Sequence, residues 1–277
     1  ASGTGGTGAN GKIVITYTPT IPSISVTPAT LSGFSTVPTA PSTEQTFSVS
    51  GSLLEADIVI TAPTNYEINN PLVDSTYGST ITLTNVSGSV AATTINVRLK
   101  TGLTGGTAYA ENISVETTNG TTQTVACSGG VLGYYYYAGY GSLANASSWS
   151  TNTNGVGGSQ PTDFTTVYQV FVIRNTTAVS TDQLWNVAGT GSVIQVGDPA
   201  VPGVALTIAG GFDISTTAVL PVVGNGAIDI PAASSGVNSV ILQSTATPPA
   251  MGIMDANSEV HYQATISTAG SKIFGKI

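Results

Sequence analysis

The chain has 277 residues, of which only 7% are charged, and its formal net charge is −8. With Lys and Arg numbering 6 in all, it lacks the basic clusters that neutralise phosphate, which excludes nucleic acid and anionic membrane surfaces as partners. No apolar run approaches the roughly 18 to 20 residues that span a bilayer, so we expect no membrane insertion.

Glycine, serine and threonine dominate the composition, with 33, 30 and 43 residues respectively. Threonine and the frequent valine and isoleucine lose rotamer freedom in helices but fit a half-buried pleated surface. No window of a dozen residues has the 3.6-residue apolar period of a helix, whereas alternation with period 2 recurs along the chain. The composition therefore predicts an all-β protein.

Residues 1–18 are interpreted as the end of a preceding Gly-rich β module. Asn10-Gly11 is typical of a tight hairpin turn, because both residue types tolerate positive φ. An apolar, β-branched strand is predicted directly after this turn, over Lys12–Thr18. The prolines at positions 19 and 22 then mark a short linker, and a domain boundary is expected there.

Residues 19–132 contain short segments in which apolar and polar side chains alternate. Phe47 and Val49 flank Ser48, for example, a pattern that turns the apolar pair towards a core and the serine towards solvent. An Asn119-Gly120 pair signals a hairpin. Short strands at this spacing indicate an immunoglobulin-like β-sandwich, although the Cys and Trp hallmarks of antibody domains are missing. About eight strands are predicted, at Ile24–Val26, Phe47–Val49, Ile58–Ile60, Tyr66–Ile68, Ile81–Leu83, Ile95–Leu99, Ile113–Val115 and Val125–Cys127.

Residues 133–277 open with an irregular, aromatic lead-in that extends to about Pro161. Very short apolar segments follow, usually separated by Gly, Asn, Asp or Pro. Brief strands divided by turns are typical of a parallel β-solenoid, in which each rung stacks on the last, and a second sandwich is the alternative. We expect this solenoid-like domain to continue beyond Ile277. Its predicted strands are Val170–Ile173, Leu184–Val187, Val193–Val196, Ala205–Ile208, Phe212–Ile214, Val219–Val223, Ala227–Ile230 and Val240–Leu242.

Several stretches resemble the modular surface proteins that Bacteroidota export through the type IX secretion system, including gliding and cell-surface adhesins. In the sandwich region these stretches are Ile24–Phe34, Phe47–Ser52, Ile58–Ile68 and Ile95–Lys100, and further on they are Gly141–Gly155 and Val170–Asn175. The resemblance implies a large repeat protein, secreted and displayed on the bacterial surface. Asp74-Ser75-Thr76 is similar to the O-glycosylation acceptor of these bacteria, which implies Ser75 as a glycosylation site.

The aromatic lead-in holds the residues best suited to ligand contact, because aromatic faces stack on sugar rings and Tyr adds a hydroxyl group. Consecutive tyrosines on a strand point to alternating sides, so half of Tyr134–Tyr137 are expected to seal a junction between modules and half to be exposed. Packing between modules is the favoured interpretation, and a platform for surface glycans is the alternative. The candidate binding residues are Tyr135, Tyr137, Tyr140 and Trp149.

Four acids, Asp182, Asp198, Asp213 and Asp229, recur at nearly even spacing in the predicted solenoid. On stacked rungs such a series would align into a ladder of carboxylates that binds Ca²⁺. The alternative, which we favour, is a set of turn and solvent-facing residues, because Asp198 stands between Gly and Pro and no calcium-loop motif occurs. Whether the series binds calcium is left open by the sequence.

Catalytic chemistry finds little support in the sequence. His261 is the sole histidine and alternates with apolar residues on a late strand, and Cys127 shares a strand face with Val125, so both are interpreted as structural. One His with one Cys cannot close a zinc site, and no metal or other cofactor is expected. We predict a non-enzymatic, extracellular structural or adhesive segment whose partners are neighbouring β modules and possible surface glycans. The alternatives are a carbohydrate-binding accessory region of a secreted polysaccharide-degrading enzyme and a β-helix lyase or hydrolase.

Overall fold

The structure is a computed structural model that describes residues 21–174, 179–198, 204–208, 214–215, 228–230, 239–243, 251–256, 259–264 and 272–273. Within these residues the chain is all-β, as predicted, and a single three-residue 3-10 turn is its only helical element. None of the described residues forms a helix with the length and apolar character needed to cross a membrane. The predicted module end at residues 1–18 and the predicted strand Val219–Val223 lie outside the described residues.

Nine strands form the N-terminal part, and all eight predicted segments lie within them. Four strands form one sheet in the order β1-β3-β7-β5, and five form a second in the order β2-β9-β8-β4-β6. Every pairing is antiparallel except that of β2 with β9. The strands are β1 (Ser23–Thr27), β2 (Thr30–Thr36), β3 (Gln45–Ser52), β4 (Ile58–Thr61), β5 (Tyr66–Asn69), β6 (Thr80–Leu83), β7 (Ser89–Leu99), β8 (Thr107–Glu116) and β9 (Gln123–Val131).

The two sheets enclose one hydrophobic cluster, which gives the N-terminal part a sandwich-like character. Phe47 and Val49 of β3 are fully buried, whereas Ser48 between them is half-buried on the opposite face. The Asn119-Gly120 turn joins β8 to β9 as predicted, with Asn119 at a φ of 59° and the Gly120 N–H donating to the Thr117 carbonyl at 3.2 Å. Alternation and turn chemistry therefore account for most of this part.

The second part is built mainly from parallel pairs. A six-stranded sheet has the order β11-β10-β12-β15-β18-β20, a five-stranded sheet has the order β13-β16-β19-β21-β22, and β14 pairs with β17. Among the strands described in this part, only the β10–β11 and β21–β22 pairs are antiparallel. The strands are β10 (Gly133–Tyr137), β11 (Trp149–Ser150), β12 (Gln169–Ile173), β13 (Val179–Ser180), β14 (Trp185–Asn186), β15 (Val193–Val196), β16 (Ala205–Ile208), β17 (Ile214–Ser215), β18 (Ile228–Ile230), β19 (Ser239–Gln243), β20 (Met251–Met254), β21 (Glu259–Ala264) and β22 (Lys272–Ile273), with the 3-10 turn at Ala146–Ser148.

A second hydrophobic cluster fills the space between these parallel sheets, separate from the cluster of the sandwich. Phe171 and Ile173 of β12 and Ile194 and Val196 of β15 contribute inward-facing side chains at paired positions. The two clusters lie on either side of the predicted boundary at residue 132, which itself stays a prediction.

Candidate functional site

An aromatic cluster lies at the start of the parallel sheets, where strand β10 pairs with β12. Tyr135 and Tyr137 point into it, since Tyr135 stacks on Phe171 with ring centroids 5.8 Å apart and Tyr137 lies 5.4 Å from Trp149. Trp149 in turn stacks on Trp185 at 5.2 Å, with an angle of 28° between the ring planes. The cluster thus joins the irregular lead-in to strands further along the chain.

Hydrogen bonds hold the polar atoms of Trp149 and Tyr137. The Trp149 Nε1–H donates to the Leu143 carbonyl at 2.8 Å, and the Tyr137 hydroxyl donates to the Gly141 carbonyl at 2.5 Å. The 3-10 turn between them is capped by Asn145, whose Oδ1 accepts from the Ser147 backbone N–H at 3.0 Å. These bonds fix the lead-in around the two rings.

The four candidate binding residues differ in their exposure. Tyr137 is 5% exposed and Trp149 is 1% exposed, so neither presents a ring face at the surface. Tyr135 is half-buried against Phe171, and only Tyr140, at 65%, is well exposed. The structure does not bring the four together as a surface platform.

The expected alternation of the tyrosines is present, and it places a different pair on the outer face. Tyr134 and Tyr136 lie on the side of β10 opposite the cluster, with ring centroids 6.4 Å apart. The Arg174 guanidinium lies 5.7 Å from the Tyr136 ring and 3.8 Å from the Asp198 carboxylate. Burial raises the pKa of the Tyr136 hydroxyl, and the Asp198 charge adds to this effect. Sequence reasoning left this pair out, because alternation defines two faces without saying which one is inward.

The junction between the two parts is built around glycines. Strand β9 ends at Val131 and β10 begins at Gly133, so a single residue connects them. An added Cβ at Gly133 would lie 2.8 Å from the Gly106 backbone N, and one at Gly130 would lie 2.2 Å from ring atoms of Tyr168. Real Cβ atoms do not approach other heavy atoms so closely, so a larger residue at either position would force its neighbours to shift.

Tyr168 is the side chain at the centre of this junction. It is 9% exposed and has a φ of 54°, which is uncommon outside glycine. Its carbonyl accepts from the Gly133 N–H at 2.8 Å, and its N–H donates to the Thr190 carbonyl at 2.9 Å. The opposite edge of its ring lies against Gly191, where an added Cβ would come within 2.7 Å. The ring is thus held in a slot between Gly130 and Gly191.

The acidic series does not form a ladder among the residues described. Asp182 lies between β13 and β14 and accepts a hydrogen bond from Ser142 Oγ at 2.6 Å, whereas Asp198 follows β15 and pairs with Arg174. Asp229 lies on β18 in register with Gln195, and Asp213 lies outside the described residues. Within the described residues no three His, Cys, Asp or Glu side chains are grouped as metal ligands.

The remaining sequence candidates are widely separated. Cys127 is 2% exposed in the sandwich core, where burial raises its thiol pKa to about 12. His261 lies on β21 in register with Ile241. Ser75 is exposed in the loop between β5 and β6, beside Asp74, whose Oδ1 accepts from the Thr76 N–H at 2.9 Å.

One structural tyrosine escaped the sequence reasoning. Tyr109 lies near the start of β8, and its hydroxyl accepts from the Thr104 N–H at 3.0 Å and donates to the Thr104 carbonyl at 3.4 Å. A tyrosine that bonds back to the loop before its own strand is the tyrosine corner of β-sandwich domains. The signal was in the sequence, but the predicted strand began only at Ile113, four residues beyond this tyrosine.

An open groove of about 550 Å³ runs along the rim of the aromatic cluster. Three segments line it: the 3-10 turn region at 144–146, the segment 162–165 and the segment 183–186. No protein-family model and no curated protein sequence matches the chain, and a functional assignment therefore depends on the geometry of these residues.

Proposed function

We propose that this chain is a non-catalytic, extracellular structural and adhesive segment of a larger modular cell-surface protein. In this proposal residues 19–132 form an immunoglobulin-like sandwich and residues 133–277 a parallel β-solenoid, joined as a stiff unit. The observation that carries it is the junction in which Leu132 alone connects two β structures and Tyr168 fills a slot between glycines. A connection of this kind transmits force and orientation, whereas flexible Gly/Ser linkers do not.

The strand order supports the immunoglobulin-like assignment. With β1, β3, β4, β5, β7, β8 and β9 taken as strands A to G, the sheets read A-B-E-D and G-F-C, which is the order of a seven-stranded immunoglobulin domain. The tyrosine corner at Tyr109 lies on the strand that corresponds to F, as it does in such domains. Strand β2 then extends the first strand onto the second sheet, and β6 is an additional edge strand.

Parallel pairing supports the solenoid assignment. Val170 of β12 pairs with Val193 of β15, and Ile194 of β15 pairs with Ile228 of β18. From β12 to β18 the chain therefore adds one parallel strand to this sheet each time it returns. Leu206 repeats this relation on the other sheet, where it pairs with Val179 and with Val240. A second antiparallel sandwich does not account for these pairs.

A stiff junction predicts a narrow distribution of distances between two labels placed on either side of it. We expect spin labels at Thr61→Cys in the sandwich and Thr153→Cys in the lead-in to give one distance peak, no wider than that of a control pair at Thr61→Cys and Ser25→Cys within the sandwich. All three positions are exposed, and the buried Cys127 thiol stays unlabelled. A broad or split distribution only for the pair that spans the junction would refute the stiff unit.

The location of the segment is tested separately on the source cells. An antibody raised against the purified chain should bind intact, unpermeabilised cells, and added protease should remove that signal. Staining that appears only after lysis would contradict an extracellular segment, whatever the distance measurement shows.

A further inference from the structure

We propose that the groove at the rim of the aromatic cluster is a binding site for an uncharged saccharide. This site goes beyond a structural role, and it uses none of the four aromatic residues that the sequence suggested. The lining residues that carry the argument are Asp163, Phe164, Gln183, Leu184 and Trp185. Small pockets for polar ligands combine apolar surface with a few fixed polar groups in this way.

Asp163 supplies a fixed hydrogen-bond acceptor. Its Oδ1 accepts from the backbone N–H groups of Thr165 and Thr166, both at 2.7 Å, and from their hydroxyls at 3.1 and 3.0 Å. The Thr165 backbone bond is the main cause that lowers the pKa of this carboxyl group, so it is ionised at neutral pH. Because Oδ1 already accepts four hydrogen bonds, Oδ2 is the oxygen that is left to accept one from a ligand hydroxyl.

A second polar group of the lining is also held in place. Gln183 Nε2 donates to Ser142 Oγ at 2.8 Å, and Ser142 Oγ donates to Asp182 Oδ1 at 2.6 Å. This chain of bonds orients the Gln183 amide and leaves its Oε1 as an acceptor. Fixed groups lose little entropy when a ligand binds, which favours recognition of hydroxyl groups.

The apolar part of the groove suits the C–H face of a sugar ring. Phe164 is half-buried and is held edge-on by Trp149 at 6.4 Å and by Trp185 at 5.7 Å. Leu184 beside it is 59% exposed, although it adjoins the completely buried Trp185. The Trp185 Nε1 is buried without a hydrogen-bond partner among the described residues. Buried N–H groups without a partner are rare in folded proteins, and this one belongs to a residue that lines the groove.

The negative charge of the groove favours neutral saccharides over acidic ones. Asp163 is its one ionisable side chain, and Lys and Arg are absent from the lining residues. An unpaired carboxylate repels sulfated, sialylated and uronic-acid saccharides, whereas neutral sugars bring hydroxyl donors that it can accept. A peptide ligand is disfavoured because it would pair with backbone groups of the groove. The Phe164 carbonyl is already engaged, since it accepts from the Ala188 N–H at 3.0 Å.

The proposal is tested with the purified chain on an array of neutral, sialylated and sulfated glycans, followed by calorimetric titration of the best neutral oligosaccharide. We expect binding to neutral glycans that Asp163→Asn weakens about tenfold or more, because Asn keeps the Oδ1 acceptor but replaces the charged oxygen. Leu184→Ala should weaken it about threefold or more by loss of apolar contact. Leu72→Ala, which truncates an 82% exposed leucine of the sandwich, is the matched control and should leave binding unchanged.

Three results would overturn the assignment: no neutral glycan bound at millimolar concentration, a preference for sulfated or sialylated glycans, or neutral binding that neither groove substitution weakens. Circular dichroism of Asp163→Asn and Leu184→Ala shows whether each variant is folded. If Asp163→Asn does not fold, the Leu184→Ala titration alone decides. Failure of glycan binding would leave the distance across the junction unchanged, so this proposal and the structural role fail separately.

Discussion

Replacing Gly130 with alanine tests whether the junction is as tightly packed as its geometry indicates. The new Cβ would lie 2.2 Å from both Cδ2 and Cε2 of Tyr168 and 2.5 Å from its Cγ. Carbon atoms prefer separations of about 3.5 to 4.0 Å, so the ring has to move by more than an ångström. It has little room to do so, because Gly191 lies against its other edge.

The expected cost follows from two opposing contributions. Overpacking of this kind costs about 1 to 3 kcal/mol, whereas the loss of glycine flexibility in the unfolded chain returns about 0.4 to 1 kcal/mol, so we expect a net loss of about 1 to 2 kcal/mol. Gly78→Ala is the matched control, because an added Cβ at Gly78 meets nothing within 4 Å. This control should show only the gain from the unfolded chain, a stabilisation of about 0.4 to 1 kcal/mol.

The measurement is denaturant unfolding followed by the fluorescence of Trp149 and Trp185, both of which lie in the aromatic cluster beside the junction. A double-mutant cycle with Tyr168→Ala assigns the cost to the contact, since Gly130→Ala should become nearly neutral once the ring is absent. The packing argument is refuted if Gly130→Ala matches Gly78→Ala, or if its cost is the same with and without the Tyr168 ring.

Three further predictions concern the sandwich. Tyr109→Phe removes both hydrogen bonds to Thr104 and should lower the free energy of unfolding by about 1 kcal/mol, whereas the exposed Tyr140→Phe should change it little; equal effects would contradict a tyrosine corner. The buried Cys127 thiol, with its pKa raised to about 12, should resist iodoacetamide at pH 8 until the chain is unfolded, and rapid native labelling would contradict its burial. The fold favours the protonated thiol, so the stability that Cys127 contributes is complete below about pH 8.5 and is lost as the pH rises towards 12. The free energy of unfolding of Cys127→Ala should therefore fall less steeply at alkaline pH than that of the parent chain.

The strands of the sandwich could be predicted because their alternation is regular and each has one buried face. Strand β2 was missed for a specific reason: Leu31 and Phe34 are three positions apart, yet both are buried. A register shift between Ser32 and Phe34, with Gly33 at a φ of 78°, turns both side chains inward. A period-2 pattern cannot reveal such a bulge, since it depends on the partner strand β9.

The second part was less predictable, because its strands pair over unequal distances along the chain. Strands at Val170–Ile173 and Val193–Val196 were placed correctly, but nothing in their sequences states which strand follows on the sheet. The interval is 23 residues from Val170 to Val193 and 34 residues from Ile194 to Ile228. Short strands specify their neighbours weakly when the turns between them vary in length. Among the described acids, Asp182 and Asp198 accordingly lie outside the strands, whereas Asp229 lies on β18.

In the solenoid that we propose, the aromatic lead-in has a role that composition alone does not reveal. The first strand of such a stack would leave its interior open to solvent at that end, and terminal units of repeat structures are therefore capped. Trp149 comes from the lead-in and Trp185 from β14, and their stacking at 5.2 Å closes this end with two of the largest buried side chains of the described residues. Burial of each ring contributes on the order of 3 kcal/mol, far more than an exposed tryptophan would add to a weak sugar contact. Packing thus accounts for Trp149, one of the four candidate binding residues, and the groove that we propose as a ligand site lies at the rim of the cluster that this packing forms.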